Sequence, residues 1–372
     1  MRRFAFPFLL VSLAAGPVRA EAVNIPVLVP LTGFLSLEGT SQRNGALLAL
    51  KEAPAGLSMT SEVVDTGTSP EAAVTALERA AGKPVTAVVA SMLGTQMLAM
   101  LPLAKDYKLP LVTVSGTAGI TEQGNPWVFR FFPGDAVTKA AHARYVVEEL
   151  GRKRPAVIYQ TTAYGQGGKA HLLEQFKKLG VETVFEEGVD TSAKDLLPVI
   201  SKALAANPDV LVLHLHSAPT ALFIRQAAAH GVSVPIVAGS AMHQPSTAAL
   251  LEPQELKGVC AETAASPVSG GSAEVEAFTA AYRNAFNAEP DAFALGQYDG
   301  VKMVLDAAAK GARTAEQVRD ALSKGTHKGL AMTYASDGKG NMAHSAVIVC
   351  YDGASRVPKL AKRYDNVTGV VR

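Results

Sequence analysis

Residues 155–180, PAVIYQTTAYGQGGKAHLLEQFKKLG, set an apolar run against a helical pattern with three glycines between them. PAVIYQ (155–160) reads as a buried strand and HLLEQFKKLG (171–180) carries apolar residues at helical spacing. A glycine-rich joint between strand and helix is a common anion site, because the free N–H groups and dipole of a helix start attract negative charge. Gly165, Gly167 and Ala170 satisfy G-x-G-x-x-G/A, and Glu186 lies about 20 residues on, where a dinucleotide fold places its ribose carboxylate. The template fails at its start: a dinucleotide fingerprint begins at the strand end, whereas Thr161–Tyr164 intervene here. The stretch therefore marks a strand-to-helix joint of an α/β sheet that holds no pyrophosphate.

The same joint recurs along the chain. NIPVLVPL (24–31), MTSEVVDT (59–66), TAVVAS (86–91) and LPLVTVSG (109–116) alternate with helical patterns such as NGALLALKEA, PEAAVTALERAAG and TQMLAMLPLAKDY. Repeated β-α order means a mostly parallel sheet covered on both faces. After GNPWVFRFFPGD (124–135) the alternation begins afresh, through PAVIYQ, TVFEEG, DVLVLHLH and VPIVAG, and gives a second sheet of the same kind. The tail breaks this order, because the three helical stretches 272–286, 291–311 and 314–325 have little strand between them. Helices without strands of their own pack on a sheet made earlier, so the chain is expected to return to the first lobe and then cross back.

Composition narrows the classes. MRRFAFPFLLVSLAAGPVRA has a basic start, an apolar stretch from Phe4 to Ala15 and small residues before Glu21, the pattern of a cleaved secretory signal over residues 1–20. Its removal takes Arg2, Arg3 and Arg19, leaving 32 basic against 33 acidic residues, a balance that gives no reason to expect nucleic acid. With 48% hydrophobic residues in 372, two cored domains are affordable. Cys260 and Cys350 both fall in strand-like runs, either as buried thiols or as a disulfide in an oxidising compartment.

In open α/β sheets ligands bind beyond the carboxyl ends of the strands. Two such loops combine hydroxyls with glycine: MLGTQ with Gly94 and Thr95, and SGTAG with Ser115, Gly116 and Thr117. Together they suit a carboxylate, although ordinary capping explains Thr95 and Thr117 as well. In LVLHLHSAP the period of two puts His214 and His216 on one side of a strand end, and His243 follows in AMHQP. Three histidines make a weak zinc candidate, and a polar pocket lining is the plainer reading. No G-x-S-x-G frame surrounds Ser91 or Ser115 and no H-E-x-x-H occurs, so neither catalysis nor a cofactor is expected.

VPLTGFLSLEG…NGALLAL, GTQ, LPLVTVSGTA, WVFRFFPGD, AYGQGG and GQYDGVKMVLDA occur in an order and spacing that resemble, over essentially the whole mature chain, the periplasmic ligand-binding proteins of the branched-chain amino acid (leucine/isoleucine/valine-binding) type. The resemblance implies an α/β, type I periplasmic binding protein fold with two doubly wound parallel-sheet lobes. These would be residues 21–131 plus 265–332 and residues 132–264 plus 333–372, joined by three hinge segments near Arg130–Pro133, Ala264–Pro267 and Leu330–Tyr334. It implies a periplasmic monomer that takes a small molecule to the membrane permease of an ABC importer, or a sensor of the same fold with a regulatory partner. Carried over residue by residue, Ser115 and Thr117 hold a ligand carboxylate, Thr95 is a hydroxyl of the companion turn, and Tyr164 closes over the ligand. His216 falls where the family presents an aromatic. Thr117→Ala or Tyr164→Ala would then weaken binding, and Gly168→Ala would change it little.

Two departures matter. Where the family places an acidic residue for the ligand's ammonium this chain has Ser240, and where members have a first-lobe aromatic it has Glu38. A serine cannot neutralise a buried ammonium. Either Glu38 supplies the carboxylate from the opposite lobe, or the ligand lacks an amine; the plainer reading of Glu38 itself is a solvated loop residue. Leucine-like amino acids, amides and amine-free or aromatic acids all remain open.

Overall fold

The computed structural model describes residues 22–371, and the leader read in residues 1–20 lies outside them. In the first sheet β1 (Val27–Val29), β2 (Val63–Asp65), β3 (Val88–Ala90), β4 (Leu111–Thr113) and β5 (Val128–Arg130) run parallel in the order β2-β1-β3-β4-β5. In the second, β6 (Pro155–Gln160), β7 (Phe185–Val189), β8 (Val210–His214), β9 (Ile236–Ala238) and β10 (Val259–Thr263) repeat that order as β7-β6-β8-β9-β10. Antiparallel β11 (Ala346–Cys350) and β12 (Lys359–Tyr364) extend its edge. Strands β3, β4 and β8 are buried on both faces, which is why they read as unbroken apolar runs.

The tail helices return as expected. Ala273–Phe286, Ala292–Ala309 and Ala315–Lys324 contribute Phe278, Leu295, Val301, Leu305 and Leu322 to the core of the first sheet, against Val27, Val89 and Phe129. Helix Ala292–Ala309 lies against Ser36–Lys51, and a Cβ on Gly45 would stand 2.1 Å from the Ala294 carbonyl oxygen. Asp299 accepts hydrogen bonds from the N–H groups of Leu330 and Ala331, both at 2.9 Å.

The chain passes between the sheets after β5 and after β10, close to the first two expected hinges. The third crossing lies elsewhere. Leu330–Tyr334 belongs to the first lobe: Thr333–Ala335 pairs with Thr326–Lys328, the Tyr334 ring sits 5.1 Å from Phe131, and Met342 and Ala343 join the same core. Met342 also donates its N–H to the Arg130 carbonyl at 3.0 Å. The chain therefore leaves the first lobe after Ala343 and enters β11 at Ala346, some ten residues beyond the expected point.

Cys260 and Cys350 face each other in register across β10 and β11 and are disulfide-bonded, closing a separation of 90 residues. The glycine joint also resolves differently from its reading. The helix starts at Ala163, not after the glycines, with Thr162 as its cap accepting from the Gly165 N–H at 3.4 Å. Glycine costs a helix about 1 kcal/mol relative to alanine. Here it permits contact: a Cβ on Gly165 would lie 1.8 Å from the Gln160 carbonyl oxygen, and one on Gly168 would lie 1.9 Å from His214 Nε2. In this packing Gly168→Ala would press on the His214 ring, which argues against the expectation that it changes binding little. Glu186 pairs at 3.8 Å with Lys169 at the surface.

Candidate ligand-binding cleft

The carboxyl ends of both sheets face a cavity of about 30 Å³ between the lobes, room for roughly two waters. Leu35, Glu38, Met92, Gly116, Phe132 and Phe293 line it from the first-lobe side, and Tyr164, His216, Ser240 and Ala241 from the second.

The Ser115–Thr117 turn is shaped by Arg130, a residue that sequence reasoning did not single out. Its Nη1 donates to the carbonyls of Ser115, Gly116 and Thr117 at 3.4, 3.1 and 2.7 Å, and its Nη2 to Thr121 Oγ1 at 2.7 Å. Peptide planarity turns the N–H groups of Gly116 and Thr117 away from the guanidinium. The hydroxyls of Ser115 and Thr117 are buried and have no protein partner. Of this set Gly116 alone forms cavity wall, with Ser115 and Thr117 packed beside it. Thr117 lies over the start of helix Gly94–Asp106, where a Cβ on Gly94 would meet its Oγ1 at 2.1 Å. Thr95 is half-buried in that helix's first turn and does not line the cavity.

Tyr164 closes the turn from the opposite lobe, its ring 3.3 Å from where a Cβ on Gly116 would be. Behind it the His214 ring packs at a tilt with centroids 3.9 Å apart, and beside it His216 stacks at 5.2 Å. His214 Nε2 bonds the Tyr164 carbonyl at 3.1 Å, and His216 Nε2 lies 3.2 Å from Thr162 Oγ1. Burial pushes His216 down to about 4 and His214 well below its usual value, so both rings are neutral near pH 7. His243 does not join them: it bonds the Ser240 carbonyl and accepts from the Ala292 N–H at 3.0 Å, across the lobes. Among the described residues no three His, Cys, Asp or Glu side chains converge on a point that could hold a metal ion.

Glu38 is not a solvated loop residue. It lies in the first turn of helix Ser36–Lys51, is 2% exposed, and accepts at Oε1 from Ser217 N–H at 3.0 Å and Ser217 Oγ at 2.5 Å. Its other oxygen has no partner, and burial raises its pKa. On the far wall Ser240 Oγ donates to Glu262, 3.1 Å from each carboxylate oxygen, and Glu262 is ion-paired with Lys139, neither of them accessible to solvent. Asp135 accepts from Ala118 N–H at 3.2 Å and lies 3.8 Å from His214. Burial lifts it to about 7 against the pull of Lys139 and Arg130. Ser217, Lys139 and Glu262 carried no motif in the sequence, because their partners lie more than a hundred residues away.

Turns on facing lobes, the Tyr164 ring and an apolar wall enclose this cavity, and the match to known families says what kind of protein carries it. The model of the family described as periplasmic binding protein matches residues 22–354. The chain belongs to that family. A leucine-, isoleucine-, valine-, threonine- and alanine-binding protein of Pseudomonas aeruginosa is 23% identical over 229 residues, 60% of this chain and 61% of that relative, so the chain spans about three fifths of its length. The leucine-binding protein LivK of Thermotoga maritima superposes with a TM-score of 0.85 at 24% identity, covering 92% of this chain and 99% of that one. A solute-binding protein from R. palustris solved with benzoate gives 0.82 at 17% identity, covering 92% and 97%. The solved structures show that this periplasmic binding protein shares their two-lobed fold.

Proposed function

We propose that this periplasmic binding protein captures a small carboxylate-bearing ligand between its lobes outside the cytoplasm and delivers it to an ABC permease. The observation that carries the reading is the pair of buried, partnerless hydroxyls on Ser115 and Thr117. Buried hydroxyls nearly always find partners, and a turn whose carbonyls are all committed to Arg130 offers donors to an anion. Leu35, Met92, Phe132 and Phe293 add an apolar wall. An amino acid such as leucine and an aromatic acid such as benzoate, the molecules named with two of the similar structures, share a carboxylate on an apolar body. The Cys260–Cys350 disulfide suits an oxidising compartment.

The test is the melting temperature of residues 21–372 alone and with saturating leucine, 4-methylpentanoate or benzoate. A ligand that binds only the folded state adds about 2.7 kcal/mol at a hundredfold excess over Kd. Thr117→Ala and Tyr164→Ala are each expected to weaken binding of the stabilising compound by roughly 10- to 100-fold, the size of a lost hydrogen bond to a charged group or of a lost aromatic contact. Unchanged affinity in both variants removes the site.

A further inference from the structure

We infer that Lys139 sets the ligand specificity of this cleft: it supplies from within the protein the positive charge that a ligand ammonium would otherwise bring, and so biases the site toward acids that lack an amine. The inference rests on the reading of the cleft as a carboxylate receptor.

Three observations lead there. Lys139, on helix Asp135–Arg144, ion-pairs with Glu262 where neither side chain meets solvent. Glu262 is one hydroxyl from the ligand, because Ser240 lines the cavity and its Oγ lies 3.1 Å from both Glu262 oxygens. Two other carboxylates near the cleft are also answered by protein groups. Asp135 has Ala118 N–H and the nearby charges of Lys139 and Arg130. Asp291 accepts from Ser41, from Gln244 at 2.6 Å and from Ala294 N–H at 2.9 Å. Glu38 is answered at one oxygen, by Ser217 at the start of helix Ser217–Ala229, and its other oxygen has no partner.

A ligand ammonium beside Ser240 would meet a carboxylate already neutralised by Lys139, and an unpaired buried charge is costly. The attraction between Glu262 and a ligand amine is thus cancelled by a side chain that never touches the ligand. Lys139 is accordingly a positioning charge, and its removal should change which ligand is preferred more than whether ligand binds.

The experiment measures Kd calorimetrically for two pairs that differ only by the amine, leucine with 4-methylpentanoate and phenylalanine with 3-phenylpropanoate. Wild type is expected to favour the amine-free member of the tighter-binding pair by about tenfold or more. Lys139→Met leaves Glu262 uncompensated, and the ratio is expected to move about tenfold or more toward the amine. Glu262→Gln leaves Lys139 uncompensated and should move it the other way, so one variant remains readable if the other fails to fold. Equal weakening of both members in the folded variants overturns the inference and makes the ion pair merely structural. A wild type that prefers the amine overturns it too, while the carboxylate reading stands. A wild type that binds none of the four overturns both.

Discussion

His216 titrates far below its usual range because it is buried between Tyr164 and Phe34 with only Thr162 to bond. The unfolded chain takes up this proton near 6.5 and the folded one near 4, so stability is full above pH 6.5 and is lost as pH falls through that window. The loss approaches about 3 kcal/mol at the acid end. His216→Gln should flatten the acid limb of a melting-temperature profile between pH 7 and pH 4, and an unaltered limb would mean that the ring is hydrated. Asp135 acts in the opposite sense. Its folded value of about 7 exceeds the usual 3.8, so its burial penalty grows as pH rises across that range. At this scale the sequence was legible where chemistry is local, in hydroxyls beside a glycine and an aromatic after a strand, while a serine in place of an acid was seen only through the family resemblance. It was silent on Arg130, Lys139 and Glu262, whose roles depend on partners brought together by the fold, such as the pair 123 residues apart.

The helix Ala163–Lys178 shows what pattern reading sees and misses in an element. Periodicity located its later turns, but the glycines hid its start, since glycine is a poor helix former whose value here is contact with Gln160 and His214. The two neighbouring glycines give a controlled comparison. Gly168→Ala must displace the buried His214 ring and should lower stability by about 1–3 kcal/mol and weaken ligand binding through Tyr164. Gly167→Ala meets only Asp135 Oδ2 at 3.8 Å and should be neutral or stabilising by up to about 1 kcal/mol through helix propensity. Thermal melts of the two variants check both outcomes, and equal destabilisation would contradict the contact argument. The third crossing was misplaced for a similar reason: the hairpin of Thr326–Lys328 with Thr333–Ala335 is too short to carry a pattern, and the apolar residues that tie it to the first lobe lie singly.

Across the whole molecule, polar contacts between the lobes include Ser217 on Glu38, Gln244 on Asp291 at 2.6 Å, Ala292 N–H on His243 at 3.0 Å, Ala118 N–H on Asp135 at 3.2 Å and His171 beside Glu122 at 3.5 Å. If the lobes part as the proposed function requires, these contacts compete with hydration, and a ligand that closes the cleft needs to shift the balance by only a few kcal/mol. Glu38→Gln combined with Gln244→Ala should move the unliganded protein toward the open form, seen as a larger radius of gyration in solution scattering, and should weaken ligand binding several-fold. An unchanged radius would mean that these contacts do not govern closure. The two-lobe plan was legible because strand and helix patterns restart after GNPWVFRFFPGD and break again in the tail.

That interleaving also governs when the molecule can come into being. A ribosome makes all five strands of the first sheet by Arg130, yet the helices that cover one face of it, and Tyr334, Met342 and Ala343 beside them, are made only after the second lobe's parallel strands. The second sheet in turn waits for Val347, Val349 and Tyr364 to finish its cores. Neither lobe can close its interior while the chain is still being synthesised, and a nascent protein released at residue 264 would expose apolar surface on both.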